Sequence, residues 1–252
     1  MAAFNRIHPD PGALDAEEAA AAFGPIDSAP SERPYLGLNM VATVDGKATI
    51  DGRSGPIGNE PDRELFHELR GQVDAVMVGA GTVRTERYGR IVRDPARREA
   101  RAARGLEPDP LAVVVSGRLD LPADLPLLQA PEQRVLVITA SVAEVDDCPA
   151  EVHYLRSRES GFVSLAPALE ELRRTFGVRS VLCEGGPLLN SALAREGLVD
   201  ELWLAIAPKL AAGGGLTIVT GAALDPPVEL ALEWVLESGD DHLFLRYRTR
   251  RL

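Results

Sequence analysis

The chain has 252 residues, 45% hydrophobic and 26% charged, proportions that belong to globular rather than disordered proteins. Its formal charge is −11, from 38 acidic and 27 basic residues, which argues against a general nucleic-acid or anionic-membrane binder. No run reaches the about 18 consecutive apolar residues of a membrane span, and two isolated cysteines, Cys148 and Cys183, give neither a disulfide framework nor a zinc spacing, so a cytoplasmic protein without a metal site is expected.

Residues 1–33 carry six carboxylates against two arginines and are rich in Ala and Pro. They read as an acidic N-terminal extension, loosely docked, with a short helix over 15–23 and without the basic start and apolar run of a secretory signal. Residues 34–252 read as one domain. An apolar strand over 35–44 ends at the turn Asp45-Gly46-Lys47. A helix is expected over 59–70, with Asn59 as cap, acids in its first turn, and Leu65, Phe66 and Leu69 at helical spacing. Short buried strands follow over 75–78, 111–115, 135–139 and 152–155. A helix over 165–176 leads to a strand over 180–183, a helix over 188–196 and a strand over 202–207. Two late strands, 228–236 and 243–247, have no helix between them. The alternation argues for an α/β fold with a mixed, mostly parallel sheet flanked by helices and an antiparallel C-terminal edge.

Two glycine-rich turns each follow a strand and open a helix: Val-Gly-Ala-Gly-Thr-Val over 78–83 and Glu-Gly-Gly-Pro-Leu-Leu over 184–189. Glycine lets the backbone approach a pyrophosphate, and the N–H groups of a helix start attract it. The segment 84–104 has eight arginines and three acids, a local charge of +5 inside a chain of −11. Arg90 and Arg93, in the loop leaving the first glycine turn, are phosphate candidates; Arg97, Arg98, Arg101 and Arg104 read as a solvated helix face. The four histidines show no pairing pattern, and no GxSxG or HExxH motif occurs.

The ordered set LNMVATVDGK, RSGPIG, HELR, DAVMVGAGTV, VSGRLDLP, EGGPLLNSAL and LVDELWLAIAPKL resembles the pyrimidine reductase family of riboflavin biosynthesis, from about residue 35 to the C-terminus. The resemblance implies a dihydrofolate-reductase-like fold, a homodimer, and NADPH-dependent hydride transfer to C1′ of a 5-amino-6-(5-phosphoribosylamino)uracil-like substrate. A paralogue reducing another heterocycle such as dihydrofolate, or a non-catalytic cofactor-binding protein, is the alternative. By position, the resemblance places Val41, Pro56, Gly81, Thr82, Val83, Glu86, Ser116, Gly185, Gly186, Pro187, Leu188 and Leu189 at the cofactor, with Arg118 assisting at a ribose 2′-phosphate. It places Ser54, Arg70, Glu184 and Arg93, or Arg90 if the loop shifts, at the substrate. Asn39 stands where many members have Lys, which leaves Asp45, Glu184 or water as the proton donor. Glu86 replaces a usual Asp and Pro56 a usual Trp. An HxE followed by PCxxC is absent, so no attached deaminase is expected within this chain.

Overall fold

The computed structural model describes residues 3–24, 31–156 and 163–250. A single eleven-stranded sheet runs in the order β2-β1-β10-β11-β9-β3-β8-β4-β5-β6-β7. Its parallel half joins β3 (Tyr35–Thr43), β8 (Ser180–Cys183), β4 (Ala75–Gly79), β5 (Leu111–Val115), β6 (Arg134–Thr139) and β7 (Glu151–Arg156), with β9 (Glu201–Ala207) parallel to β3. The remaining four strands are antiparallel, so the sheet is mixed and mostly parallel: β11 (Leu243–Thr249) against β9, β10 (Leu230–Glu237) against β11, then β1 (Ala3–His8) and β2 (Gly12–Asp15).

The central strands bury side chains on both faces, as their uninterrupted apolar runs require. One face packs α1 (Ala16–Ala20), α2 (Glu60–Gln72) and α3 (Ala80–Thr85) through Ala20, Leu65, Leu69 and Val83. The other packs α5 (Leu165–Phe176) and α6 (Pro187–Arg195) through Leu165, Leu169, Leu172, Leu189 and Leu193. Asn59 caps α2, its side chain accepting from the Asp62 amide. α5 ends at Gly177 with φ +67, the left-handed cap that glycine supplies without strain.

Three expectations are corrected. The described part of residues 1–33 is not loosely docked: β1 is hydrogen-bonded to β10, and Phe4, fully buried, meets the Phe244 ring edge-on at 4.9 Å. The antiparallel edge expected from the two late strands is present, and β1 and β2 extend it beyond β10. The helix expected over 15–23 is shorter, with Asp15 and Glu18 forming a capping box. The arginines of the helix α4 (Pro95–Ala103) and its cap are not one solvated face: Arg104 is exposed, but Arg101 is 1% exposed and donates to the carbonyls of Arg70, Val73 and Glu107, because α4 packs on α2. Arg97 pairs with Glu64 and Glu68 of α2, and Arg104 with Glu17 of α1.

Candidate active site

The carboxyl ends of β3, β4, β5 and β8 open into one cavity of about 1300 Å³. That exceeds the several hundred Å³ of an ordinary single-ligand pocket, and leaves room for a dinucleotide and a second molecule.

One wall is made by the two glycine turns. β4 and β8 are parallel neighbours, so the helices that follow them, α3 and α6, start side by side. The turns touch: the Gly79 amide donates to the Gly185 carbonyl at 2.8 Å, and a methyl group added at Gly186 would stand 2.8 Å from Thr82 Oγ1. Gly185 has φ +90, and the peptide between Gly185 and Gly186 is cis. No side chain caps α6, whose first residue is Pro187, so the amides of Leu188 and Leu189 remain as donors for an anion. Gly81, Thr82, Gly186, Pro187, Leu188 and Leu189 all line the cavity, as do Ser116 and Arg118 beyond β5. Ser116 is buried and accepts from the Asp120 amide, whereas Arg118 is exposed.

The opposite side is built on α2 and the sheet face it covers. Side chains alternate along a strand, so Asn39 and Val41 share the face of Trp203, with which Asn39 is in register, and Glu184 shares the face of Leu182. Arg70, at the last turn of α2, meets Glu184 in a two-pronged pair: Nε donates to Oε1 and Nη2 to Oε2, each at 2.7 Å. The Arg70 Nη1 donates to the Ile91 carbonyl at 2.8 Å, and the Tyr88 hydroxyl donates to Glu184 Oε2 at 2.7 Å. Phe66 lies under the guanidinium, 4.1 Å from carbon to ring centroid. Burial alone would weaken Arg70 as a base, but Glu184 outweighs it and holds the guanidinium charged. Burial and the Glu184 charge together push the Tyr88 hydroxyl well up, so it stays a donor. The charge in this cluster is thus closed on itself, with most acceptor positions of Glu184 already filled.

Between the two walls, the loop leaving α3 supplies cations. Arg90 is tied to Asp109 at 2.6 and 2.9 Å and is not a free anion binder. Arg93 lines the cavity, is exposed, and among the described residues its guanidinium makes no hydrogen bond or ion pair. Glu86 accepts from both the amide and the hydroxyl of Ser54, at 2.9 and 3.0 Å, and so fixes the 52–54 loop at the cavity mouth. Both residues line the cavity.

Four residues named from the sequence are not among the lining residues. Val83 is fully buried in the core between α3 and the sheet. Pro56 is exposed, its carbonyl accepting from Lys209 Nζ. Gly185 gives its carbonyl to the neighbouring turn. Asp45 stands outside as well: its carboxylate takes the Thr43 hydroxyl and the amides of Ala211 and Ala212, and these bonds, the Thr43 one foremost, pull its pKa down to about 2. A carboxyl held ionised in this way is a loop clamp, not a proton donor at neutral pH. Sequence reasoning passed over Tyr88, whose place beside Glu184 depends on a loop with no periodic pattern. It also passed over Asp62, which lines the cavity one helical turn before Phe66. The signal was present in the four-residue spacing of Asp62, Phe66 and Arg70 on α2. Among the described residues no group of three or more His, Cys, Asp and Glu is placed to hold a metal ion, and no helix is long and apolar enough to cross a membrane.

The family model described as the RibD C-terminal domain matches residues 34–244. The chain is 36% identical over 182 residues to a 2,5-diamino-6-ribosylamino-4(3H)-pyrimidinone 5′-phosphate reductase of Archaeoglobus fulgidus, covering 70% of this chain and 81% of that one. It is 31% identical over 228 residues to the enzyme of the same name from Methanothermobacter thermautotrophicus, covering 86% of this chain and 99% of that one. A pyrimidine reductase-like protein of Corynebacterium diphtheriae has the same fold, with a TM-score of 0.77 at 24% identity over 95% of this chain and all of that one.

Proposed function

The chain belongs to the RibD C-terminal domain family, and from that premise we propose that it is a pyrimidine reductase of riboflavin biosynthesis, using NADPH to reduce the ribosyl group of a 5-amino-6-(5-phosphoribosylamino)uracil-like substrate at C1′. The observation that supports this reading best is the cavity's division: a wall of two abutting glycine turns on one side, the Arg70–Glu184–Tyr88 cluster on the other, and between them Arg93, unpaired among the described residues.

The residues fit a dinucleotide. An added methyl at Gly186 would strike Thr82, whereas one at Gly81 would meet nothing within 4 Å, so the cradle is closed between the turns and open above α3. Gly81, Thr82, Gly186, Leu188 and Leu189 hold the pyrophosphate through backbone donors and the uncapped start of α6. Ser116 and Arg118 receive the ribose 2′-phosphate, which is the basis for NADPH over NADH. NADPH, when bound, supplies the hydride. The protein supplies position and electrostatics. Arg93 binds the substrate phosphate, neutralising a charge that the chain's overall −11 would repel. Glu184, braced by Arg70 and Tyr88, keeps one orientation and accepts from an N–H of the pyrimidine. Asn39 lies beside it on β3 and offers a donor and an acceptor to the reacting end.

The reaction takes place in the cytoplasm, where the two free thiols, Cys148 and Cys183, stay reduced. Two copies associate; the exposed apolar side chains of Val44, Leu210 and Leu216, on the turn after β3 and the loop hydrogen-bonded to it, supply a surface for this. The decisive assay is loss of NADPH absorbance on adding the aminouracil ribosyl-phosphate. Substrate-dependent oxidation supports the reading; a rate equal to the substrate-free control, with folded protein, overturns it.

A further inference from the structure

Neither carboxylate expected to donate the proton is placed to do so, and Glu86, which lines the cavity, is held by Ser54. Asp45 stands outside the cavity, and Glu184 is occupied by three hydrogen bonds from Arg70 and Tyr88. Asn39 carries a carboxamide, which does not give up a proton in water.

Asp62 fills the gap geometrically. Residues four apart on a helix lie on one face, so Asp62, Phe66 and Arg70 form a stripe along α2, and all three line the cavity. The stripe lies against the sheet row that holds Glu184 and Asn39. At one end Arg70 closes on Glu184. One turn before Phe66, Asp62 and Asn39 share a narrow recess walled by Leu65, Phe66, Trp203 and Phe244. Among the described residues neither the Asp62 carboxyl nor the Asn39 amide makes a hydrogen bond, and Asp62 makes no ion pair. That recess, of about 10 Å³, has room for about one water, but both side chains also line the large cavity, so each keeps hydrogen-bonding capacity for a molecule bound there. Gly58 makes the space: a methyl group there would stand 2.3 Å from Asp62 Oδ2. The recess pushes the carboxyl up to about 6 by desolvation, against the opposing pull of His242 from the β10–β11 turn and of Arg63 on α2. His67 of α2 also lines the cavity, and burial, with the charges of Arg70 and Arg97, holds its pKa below the ordinary imidazole value; Arg70 with Glu184 and Arg246 with Glu201 are paired to each other.

Resting on the reductase reading above, we propose that Asp62 is the catalytic acid of the reduction, protonating the substrate nitrogen as C1′ is reduced. Opening of the ribosyl ring breaks the C1′–O4′ bond and passes the amino N–H proton to O4′, which leaves an imine between C1′ and that nitrogen, and this C=N receives a hydride at carbon from the reduced nicotinamide. Its π pair moves onto nitrogen, and that nitrogen takes the proton from the Asp62 carboxyl. The imine becomes an amine, the nicotinamide is oxidised, and Asp62 is left as a carboxylate that water reprotonates. Asn39, which lines the large cavity with Asp62, hydrogen-bonds the reacting end and keeps it within reach.

The test compares the full chain with its Asp62→Asn variant, using NADPH and the aminouracil ribosyl-phosphate across pH 5–9. The wild-type kcat is expected to fall tenfold per pH unit above about pH 6, as the acid ionises. Asp62→Asn is expected to lower kcat by about 100-fold or more at pH 6, to leave KM and the NADPH dissociation constant within about threefold, and to flatten the profile. Carbon-13 NMR of Asp-labelled protein gives a readout independent of turnover: one carboxyl titrating near 6 is expected in the wild type and missing from the variant. Gly58→Ala, which moves the carboxyl without removing it, is expected to lower kcat while the titration persists. If Asp62→Asn keeps kcat within threefold, or raises only KM and retains the wild-type profile, the acid role is wrong and the reductase reading stands. If the wild type itself does not oxidise NADPH, the reductase reading falls and this role with it.

Discussion

Breaking the Arg70–Glu184 pair one partner at a time is expected to be costly, and breaking it from both sides much less so. Each carboxylate oxygen accepts a guanidinium N–H at 2.7 Å, and the two side chains are 10% and 2% exposed. A buried ion pair contributes little against an apolar replacement, but removing one partner strands the other charge, at about 3–5 kcal/mol. Arg70→Met leaves Glu184 with only the Tyr88 hydroxyl, so its expected loss lies in that range. Glu184→Gln keeps an acceptor for Tyr88 but turns an amide N–H toward the guanidinium, for an expected loss of about 3 kcal/mol. In the double variant neither charge is buried. What remains is the Ile91 carbonyl deprived of Arg70 Nη1, about 1–2 kcal/mol. Equilibrium urea unfolding of all four proteins gives the cycle, and a coupling of at least about 3 kcal/mol is expected. Additive losses, or single losses under about 1 kcal/mol, would show that the pair does not organise this wall.

Three further outcomes follow from the geometry. Gly186→Val places a side chain against Thr82 Oγ1, 2.8 Å from the position of the new Cβ, and is expected to raise the NADPH dissociation constant by about tenfold or more by calorimetry, a loss of about 1.4 kcal/mol; an unchanged constant would remove this turn from the cofactor site. Arg93→Ala is expected to raise KM for the phosphorylated substrate far more than for its dephosphorylated analogue, whereas Arg90→Ala, which breaks the bond to Asp109, alters the two equally; the reverse pattern would reassign the phosphate contact. Asp45→Asn is expected to leave kcat within threefold and to speed amide exchange at Ala211 and Ala212. Because the Asp45 pKa is lowered, its contribution is present above the ordinary carboxylate range and lost only as pH falls toward about 2, so that exchange difference persists across pH 5–8.

What the sequence disclosed and what it concealed divide along the line between local and long-range physics. The strand Leu111–Val115 and the helix Leu165–Phe176 have the bounds their apolar patterns imply, and the Asn59 cap marks the start of α2. The two glycine turns could be read as strand-to-helix connections. Their contact could not, because it follows from the parallel pairing of β4 with β8, more than a hundred residues apart. β1 was hidden for the same reason: its polar sequence anchors one large core side chain, Phe4, and its pairing lies with β10 near the other end of the chain. Arg101 reads as solvated because an arginine with only carbonyl partners leaves no charge signature in sequence. Asp62 reads as an ordinary acid in the first turn of a helix, and only the apolar recess beside it gives it another use.

Under the proposed function, this cavity delivers a hydride to the ribosyl carbon of a phosphorylated pyrimidine. The most direct measurement is the fate of deuterium placed on the transferable C4 position of NADPH and followed by NMR through one turnover. The label is expected on C1′ of a ribityl product, bound to a carbon that carries the amine. Label retained in the cofactor, or found on the pyrimidine ring, would contradict it.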